Sequence, residues 1–161
     1  MTEAIGADFA VPLADRYLED YVPGSVYEYG DLTVTEAEIL EFGERFDPQP
    51  MHTDPVAAVA GAFGGLVASG WHTTALMMRL YADHYLSHVA SLGSPGVEEL
   101  SWPAPVRPGD RLRLRVEIED VRPSRTRPDR GVVRTRAWLR NQRGETVLSL
   151  TALNLVRRRP E

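Results

Sequence analysis

Residues 70–86 read GWHTTALMMRLYADHYL, and this stretch decides the fold. Apolar side chains recur at helical spacing around most of its circumference, through Leu76, Met77, Leu80 and Tyr81. A helix at the surface shows a single apolar stripe, whereas a helix that is apolar on most sides is buried. The stretch therefore predicts a long central helix, from about residue 70 to residue 86, around which the rest of the chain packs.

The part of the chain that follows this helix alternates as half-buried strands do. Four runs are predicted as strands: residues 97–102, 111–118, 133–140 and 147–155. In the last run the register is expected to slip at Ala152 and Leu153. Alternation of leucine or valine with arginine puts the apolar side chains on one face of a sheet and the arginines on the other. The sequence thus predicts an α+β fold, in which an antiparallel sheet wraps the central helix.

The region before the central helix is predicted to contain a short strand or hairpin at residues 26–34 and then a helix. Residues 35–38 form a capping box, which marks the start of that helix. Ile39, Phe42 and Phe46 are spaced to make one buried face.

Length and composition fit one globular domain. The chain has 161 residues, of which 43% are hydrophobic and 25% are charged. We expect an N-terminal arm at residues 1–16 and a single domain at residues 17–161. No apolar run approaches the roughly 20 residues that span a bilayer, and the first residues lack the pattern of a signal peptide. We therefore expect a soluble, cytoplasmic protein without a membrane partner.

The lack of cysteine and lysine restricts the chemistry. All 18 basic residues are arginine. Disulfides, thiolate nucleophiles, Schiff bases and a P-loop lysine are thereby excluded. His84 and His88 have a spacing that can bind a metal ion, but no third ligand is evident, so a surface role is favoured and no metal site is predicted.

Charge is distributed unevenly along the chain, whose net charge is -5. Residues 1–100 contain 3 arginines and 16 acidic residues, whereas residues 101–161 contain 15 arginines and 7 acidic residues. The basic half could attract a phosphate-bearing ligand, but solvated strand faces and loops are the favoured interpretation. A chain with net negative charge is not expected to bind nucleic acid.

Residues 46–54 read FDPQPMHTD and contain the candidate catalytic groups. Asp47 and His52 lie in a loop that Pro48 and Pro50 stiffen, so the carboxylate and the imidazole can be held at a fixed separation with one water between them. Addition of water to an activated double bond needs such a pair, because the water must lose a proton and the α-carbon must gain one. The pattern alone also fits a structural role, in which Asp47 ends a helix and His52 is an ordinary loop histidine, and the pattern by itself favours that interpretation.

The start of the central helix is suited to the negative charge that develops in such a reaction. Electron density pushed onto a thioester oxygen resembles an enolate, and backbone N–H groups at a helix start can bind it. Gly70 permits close approach of an acyl carbonyl. Ser69 is interpreted as a helix-start residue or a substrate contact, since the chain lacks the glycine that would make it part of a nucleophile elbow. Asp54 is predicted to cap a short helical turn at residues 55–60.

Three stretches resemble the MaoC-like dehydratases, the family of the R-specific enoyl-CoA hydratases: DPQPMHTD at 47–54, FGGLVASG at 63–70 and WPAPVRPGD at 102–110. The likeness extends from about residue 18 to residue 157, and it implies a hot-dog fold. It implies that Asp47 and His52 are the catalytic pair and that the Gly70 amide faces the thioester oxygen. It also implies hydration of a 2-enoyl thioester to the (R)-3-hydroxyacyl thioester without a metal or redox cofactor. The substrate would be carried on coenzyme A or acyl carrier protein, and the protein would be a homodimer that could assemble further.

The chain departs from the best-described form of the family at two positions. Gln49 stands where that form has asparagine, and Ser69 stands where it has histidine. Both positions are expected to contact substrate, so the departures bear on the choice of acyl group. Two other functions stay open: a hot-dog acyl-CoA thioesterase and a non-catalytic subunit that binds an acyl thioester.

Overall fold

The computed structural model describes all residues from 1 to 161. The strands are β1 (Glu3–Ala4), β2 (Val26–Thr33), β3 (Gly96–Ser101), β4 (Arg111–Pro123), β5 (Arg130–Arg140) and β6 (Thr146–Arg157). The helices are α1 (Glu36–Phe46), α2 (Pro50–Thr53), α3 (Pro55–Val59) and α4 (Gly70–His84), and two short 3-10 helices lie at Leu13–Asp15 and Leu18–Asp20. None of the helices combines the length and the apolar character that crossing a membrane requires.

The strands form one antiparallel six-stranded sheet, in the order β1-β2-β4-β5-β6-β3. Its inner face is apolar, and in β4 the fully buried residues are Leu112, Leu114, Val116 and Ile118. Helix α4 packs in the same core, where Leu80 is also fully buried. This arrangement is the α+β hot-dog fold, and the predicted central helix with its surrounding sheet is confirmed.

Strand β6 corrects one prediction, because its register with β5 does not slip at Ala152 and Leu153; the one irregularity lies at the other end of the strand, between Leu139 and Arg140 of β5. Its pairing with β5 is continuous from the pair Arg130 and Arg157 to the pair Leu139 and Leu148. The leucine pattern is interrupted because an inward position holds a polar residue, Asn154, whose side-chain oxygen accepts a hydrogen bond from the Tyr81 hydroxyl at 2.7 Å. A buried polar group that has a partner does not disturb the strand.

Helix α1 begins at the predicted capping box, with Thr35 as N-cap and the Glu38 carboxylate bonded to the Thr35 backbone N–H. Its predicted buried face is partly wrong, since Phe46 is 61% exposed. The buried face is centred instead on Ile39 and Gly43. Gly43 faces the backbone of α2, and this close approach of the two helices leaves Phe46, at the last turn, outside the core.

The central helix ends two residues before the predicted limit, and the N-terminal region is bonded to its C-terminal end. The Arg16 guanidinium donates hydrogen bonds to the carbonyls of His84 and Tyr85 at 2.8 and 3.0 Å. Arg16 is almost fully buried, and β1 pairs with the edge of β2. Residues 1–16 are therefore attached to the sheet through β1 and to the central helix through Arg16. Arg16 donates hydrogen bonds to carbonyls that a helix terminus leaves without partners.

Candidate active site

The candidate catalytic pair lies where α1 gives way to α2. Asp47 is the C-cap of α1, and Pro50 begins the short helix α2 that carries His52. The proline lacks a backbone N–H, which costs nothing at a first helical position. The chain turns sharply between the two helices and brings the Asp47 Oδ2 atom to 3.4 Å from the His52 Nε2 atom.

The Asp47 carboxylate is held by two side chains. The Gln49 amide donates to Oδ1 and the Ser69 hydroxyl donates to Oδ2, each at 2.7 Å. Hydrogen bonds from Gln49 and then Ser69 lower the pKa of Asp47, and their effect exceeds the opposite effect of burial. The carboxylate is therefore ionised at neutral pH and fixed in orientation.

The His52 ring is buried, and its tautomer is set by a hydrogen-bond partner. Its Nδ1 atom lies 2.6 Å from the backbone carbonyl oxygen of Val67. Since a carbonyl can only accept, Nδ1 carries the hydrogen. In the neutral ring the basic atom is then Nε2, the nitrogen that faces Asp47.

Glycine at position 43 is what allows His52 to sit so close to α1. A Cβ atom at Gly43 would lie 2.7 Å from the His52 carbonyl oxygen and 3.0 Å from its Cβ. No larger residue fits without a shift of one helix against the other. The position of the imidazole therefore depends on a glycine nine residues before it in the chain.

The N-terminus of α4 lies beside the pair. Ser69 is the N-cap, and its hydroxyl accepts from the Trp71 N–H at 3.3 Å while donating to Asp47. The N–H groups of Gly70 and His72 have no acceptor within the chain. Free amides at a helix start carry partial positive charge and suit a developing oxyanion.

A cavity of about 390 Å³ contains all five residues predicted from the sequence: Asp47, Gln49, His52, Ser69 and Gly70. Its other lining residues are mostly apolar: Met51, Phe63, Val67, Ala68, Trp71, Thr73, Trp102, Pro103, Ala104, Pro105 and Val106. Small-molecule sites usually have this composition, an apolar cleft that contains a few polar groups.

A second cavity of about 300 Å³ lies on the outer face of the sheet. It is lined by arginine and other polar residues, with Leu114 as its one hydrophobic residue, so it does not suit an acyl chain.

Two residues near the pair were not predicted. The Trp102 ring covers Gly70, where an added Cβ would lie 2.6 Å from a ring atom.

The second residue, His72, is buried and stacks on Phe42, with ring centroids 4.8 Å apart. Its Nδ1 atom has no hydrogen-bond partner. Burial lowers the pKa of His72, so the ring stays neutral. Only the proximity of His72 to Gly70 in the sequence could have drawn attention to it.

The histidines considered as metal ligands bond elsewhere. The His84 Nε2 atom lies 2.8 Å from the Thr2 hydroxyl, and its ring stacks on Tyr29. The His88 Nε2 atom lies 3.1 Å from the Ala82 carbonyl oxygen. Asp54 caps α3, as predicted, by accepting from the N–H groups of Val56 and Ala57.

Comparison with known proteins assigns the family. The model of the MaoC like domain matches residues 20–138. A solved structure of a MaoC-like dehydratase from Rhodospirillum rubrum superposes with a TM-score of 0.83 and 43% identity, over 91% of this chain and 99% of that chain. The chain belongs to the MaoC-like dehydratase family.

Two further proteins are similar over less of the sequence or at lower identity. The 3-hydroxyacyl-thioester dehydratase Z of Mycobacterium tuberculosis is 36% identical over 95 residues, which are 56% of this chain and 63% of that protein. The match thus spans less than two thirds of the dehydratase. The R-hydratase PhaJ1 of Pseudomonas aeruginosa has a TM-score of 0.71 at 23% identity, over 89% of this chain and 86% of that chain, a likeness of fold.

Proposed function

We propose that this protein catalyses the reversible hydration of a 2-enoyl thioester to the (R)-3-hydroxyacyl thioester, with Asp47 and His52 as the catalytic pair. The observation that carries the proposal is the 3.4 Å approach of an ionised carboxylate to the basic nitrogen of a buried imidazole, in an apolar cavity. The R configuration is part of the proposal and is taken from the likeness to the R-hydratase PhaJ1.

The ionised Asp47 carboxylate and the His52 tautomer with a basic Nε2 suit activation of water. A water molecule that donates to both Asp47 Oδ2 and His52 Nε2 keeps a lone pair free for attack on C3 of the enoyl group. The pair takes one proton from this water and returns a proton to C2, so the elements of water are added and no electron acceptor is needed.

The helix N-terminus supplies the third component. As C3 is attacked, charge moves onto the thioester oxygen, and the free Gly70 N–H is suited to bind it. Gln49 and Ser69 hold the carboxylate and lie in the same cavity, where they also face the acyl group. The substrate is proposed to arrive as a thioester of coenzyme A or acyl carrier protein.

The test is the loss of the enoyl thioester absorbance of crotonyl-CoA, with released thiol followed in parallel. Asp47→Asn and His52→Ala are expected to lower kcat by at least about a hundredfold. Asp129→Asn and His88→Ala, which change exposed residues of the same types, are the matched controls and should keep full activity. Release of thiol would indicate a thioesterase instead. Equal activity of wild type and Asp47→Asn would refute the assignment of the pair.

A homodimer in the cytoplasm is proposed with this activity. Strand β3 is an edge strand that pairs only with β6, and five of its six residues are exposed, Val97 among them. An unpaired strand edge can bind the same edge of a second copy. A molar mass in solution equal to one chain would contradict the dimer.

A further inference from the structure

Arg107 lies at the edge of the candidate active-site cavity. It follows the lining residue Val106, whose carbonyl accepts from the Ala68 N–H at 2.9 Å. Its guanidinium donates to the carbonyl of another lining residue, Phe63, at 2.7 Å. The side chain is therefore attached to the cavity wall at a defined place.

The backbone of Arg107 is also fixed. The buried Asp110 carboxylate accepts from the Arg107 N–H at 2.9 Å, and the Asp110 N–H donates to the Arg107 carbonyl at 3.1 Å. This tight turn continues directly into β4. A binding group on a rigid element loses little entropy when it meets a ligand.

Arg107 has no carboxylate partner, unlike most arginines of the outer sheet face. Those arginines are paired: Arg113 with Asp31, Arg115 with Glu28, Arg134 with Glu98 and Glu119, and Arg136 with Glu99. Two carboxylates in its neighbourhood, those of Asp110 and Glu145, are paired with Arg143. Only one N–H of the Arg107 guanidinium is engaged, by the Phe63 carbonyl. A half-buried cation with free donors suits an anion.

The loop beside this guanidinium offers further donors. The N–H groups of Gly65 and Leu66 have no acceptor within the chain. Gly64 has φ +67°, a left-handed conformation that turns the loop. Gly65 lies close to the Arg107 guanidinium, since a Cβ atom at position 65 would be 3.6 Å from an Arg107 nitrogen. Adjacent backbone N–H groups in such a turn form an anion-binding concavity.

The distance to the reacting centre fits a pantetheine arm. Gly65 and Gly70 are separated by at most about 17 Å of extended chain, and residues 67–69 between them line the cavity wall. An acyl thioester at Gly70 can therefore extend its pantetheine along this wall and place a phosphate near Arg107.

We propose that Arg107, with the N–H groups of Gly65 and Leu66, binds a phosphate of the pantetheine carrier while the thioester lies at Gly70. The inference rests on the proposed function and extends it by naming the part of the carrier that is recognised. The phosphate is the 4′-phosphate, which coenzyme A and acyl carrier protein share, or one carried by the nucleotide of coenzyme A.

The test compares three crotonyl thioesters: crotonyl-CoA, crotonyl-4′-phosphopantetheine and crotonyl-pantetheine. Arg107→Gln removes the charge and keeps a donor for the Phe63 carbonyl, while Arg107→Lys keeps the charge. Arg107→Gln is expected to raise KM for crotonyl-CoA about tenfold or more, to leave kcat unchanged and to leave crotonyl-pantetheine unaffected. Arg107→Lys should restore most of the loss. Arg125→Gln, which changes an exposed arginine of the β4–β5 loop, is the matched control.

The substrates distinguish the two sources of phosphate. An effect of Arg107→Gln on both phosphorylated thioesters would identify the shared 4′-phosphate, whereas an effect on crotonyl-CoA alone would identify a nucleotide phosphate. Equal KM ratios of wild type and Arg107→Gln for all three thioesters would overturn the proposal.

A failure of the proposed function can be distinguished from a failure of the phosphate site. If the wild type hydrates none of the thioesters, calorimetric binding of coenzyme A and of pantetheine to the same variants decides the question without turnover. Arg107→Gln should then weaken coenzyme A binding about tenfold and not change pantetheine binding. Unchanged coenzyme A binding would overturn the phosphate site.

Discussion

The Ser69 hydroxyl donates a 2.7 Å hydrogen bond to the Asp47 carboxylate and so joins the N-cap of the central helix to the candidate catalytic pair. One side chain thereby has two partners, since it also accepts from the Trp71 N–H. The orientation of Asp47 and the start of α4 depend on each other. Any change that moves the helix start also moves the carboxylate that faces His52.

Replacement of Ser69 by alanine should affect stability and pH dependence together. Loss of the N-cap costs about 1 kcal/mol of unfolding free energy. Loss of a donor to Asp47 raises the pKa of its carboxyl, since that hydrogen bond is one of the causes that lower it. The proposed hydration needs the ionised carboxylate, so the fall in kcat/KM on the acid side should move to higher pH. Ser69→Thr keeps the hydroxyl and is the control; an acid limb that stays at the wild-type pH in Ser69→Ala would contradict this role.

Gly43→Ala tests how strongly the position of His52 depends on close packing. Helix propensity alone favours alanine by about 1 kcal/mol. The Cβ atom would lie 2.7 Å from the His52 carbonyl oxygen, so α2 must move. We expect a net destabilisation of about 1–3 kcal/mol in urea unfolding and a fall in kcat even at temperatures where the variant is fully folded. Glu41→Ala, on the exposed side of α1, is the control, and a Gly43→Ala variant that is more stable and fully active would show that this contact is unimportant.

Gly70→Ala should disturb the site from its other side. The new Cβ would lie 2.6 Å from the Trp102 ring, which must shift or displace the start of α4. Activity should fall, and Trp102→Leu in the same chain should recover part of it by removing the bulky ring. The double-mutant cycle in kcat/KM measures this coupling. Simple addition of the two single effects would mean that Trp102 does not confine position 70.

His72 is predicted to make the fold sensitive to acid. Burial lowers its pKa in the folded state below the ordinary value of 6.5. At a pH between the lowered pKa of the folded chain and the ordinary pKa of the unfolded chain, His72 binds a proton in the unfolded chain but not in the folded chain. Stability is therefore lost as pH falls below about 6.5. Urea unfolding at pH 7.5 and pH 5 should show a smaller difference for His72→Gln than for the wild type.

The control for this experiment is His88→Gln, which changes an exposed histidine and should keep the wild-type difference between the two pH values. An equal loss of stability on acidification in His72→Gln and the wild type would exclude His72 as the responsible group.

Much of the fold could be predicted because its signals are local. The helical spacing of Leu76, Met77, Leu80 and Tyr81 and the alternation in β4 report burial within one element. Predictions failed where burial depended on a partner element. Phe46 keeps helical spacing with Ile39 yet is exposed, because α2 packs at Gly43. Asn154 interrupts the leucine pattern yet faces inward, because Tyr81 supplies its partner.

The sequence by itself determined the fold class, the family and the residues of the candidate pair, since these follow from periodicity and from a motif within 24 residues, 47–70. Only the tertiary structure decided how those residues are held. The Val67 carbonyl that sets the tautomer of His52, the Ser69 hydroxyl on Asp47 and the Phe63 carbonyl on Arg107 act across 15, 22 and 44 residues. Hydrogen bonds over such separations depend on the packing of whole elements against one another, which no local pattern encodes.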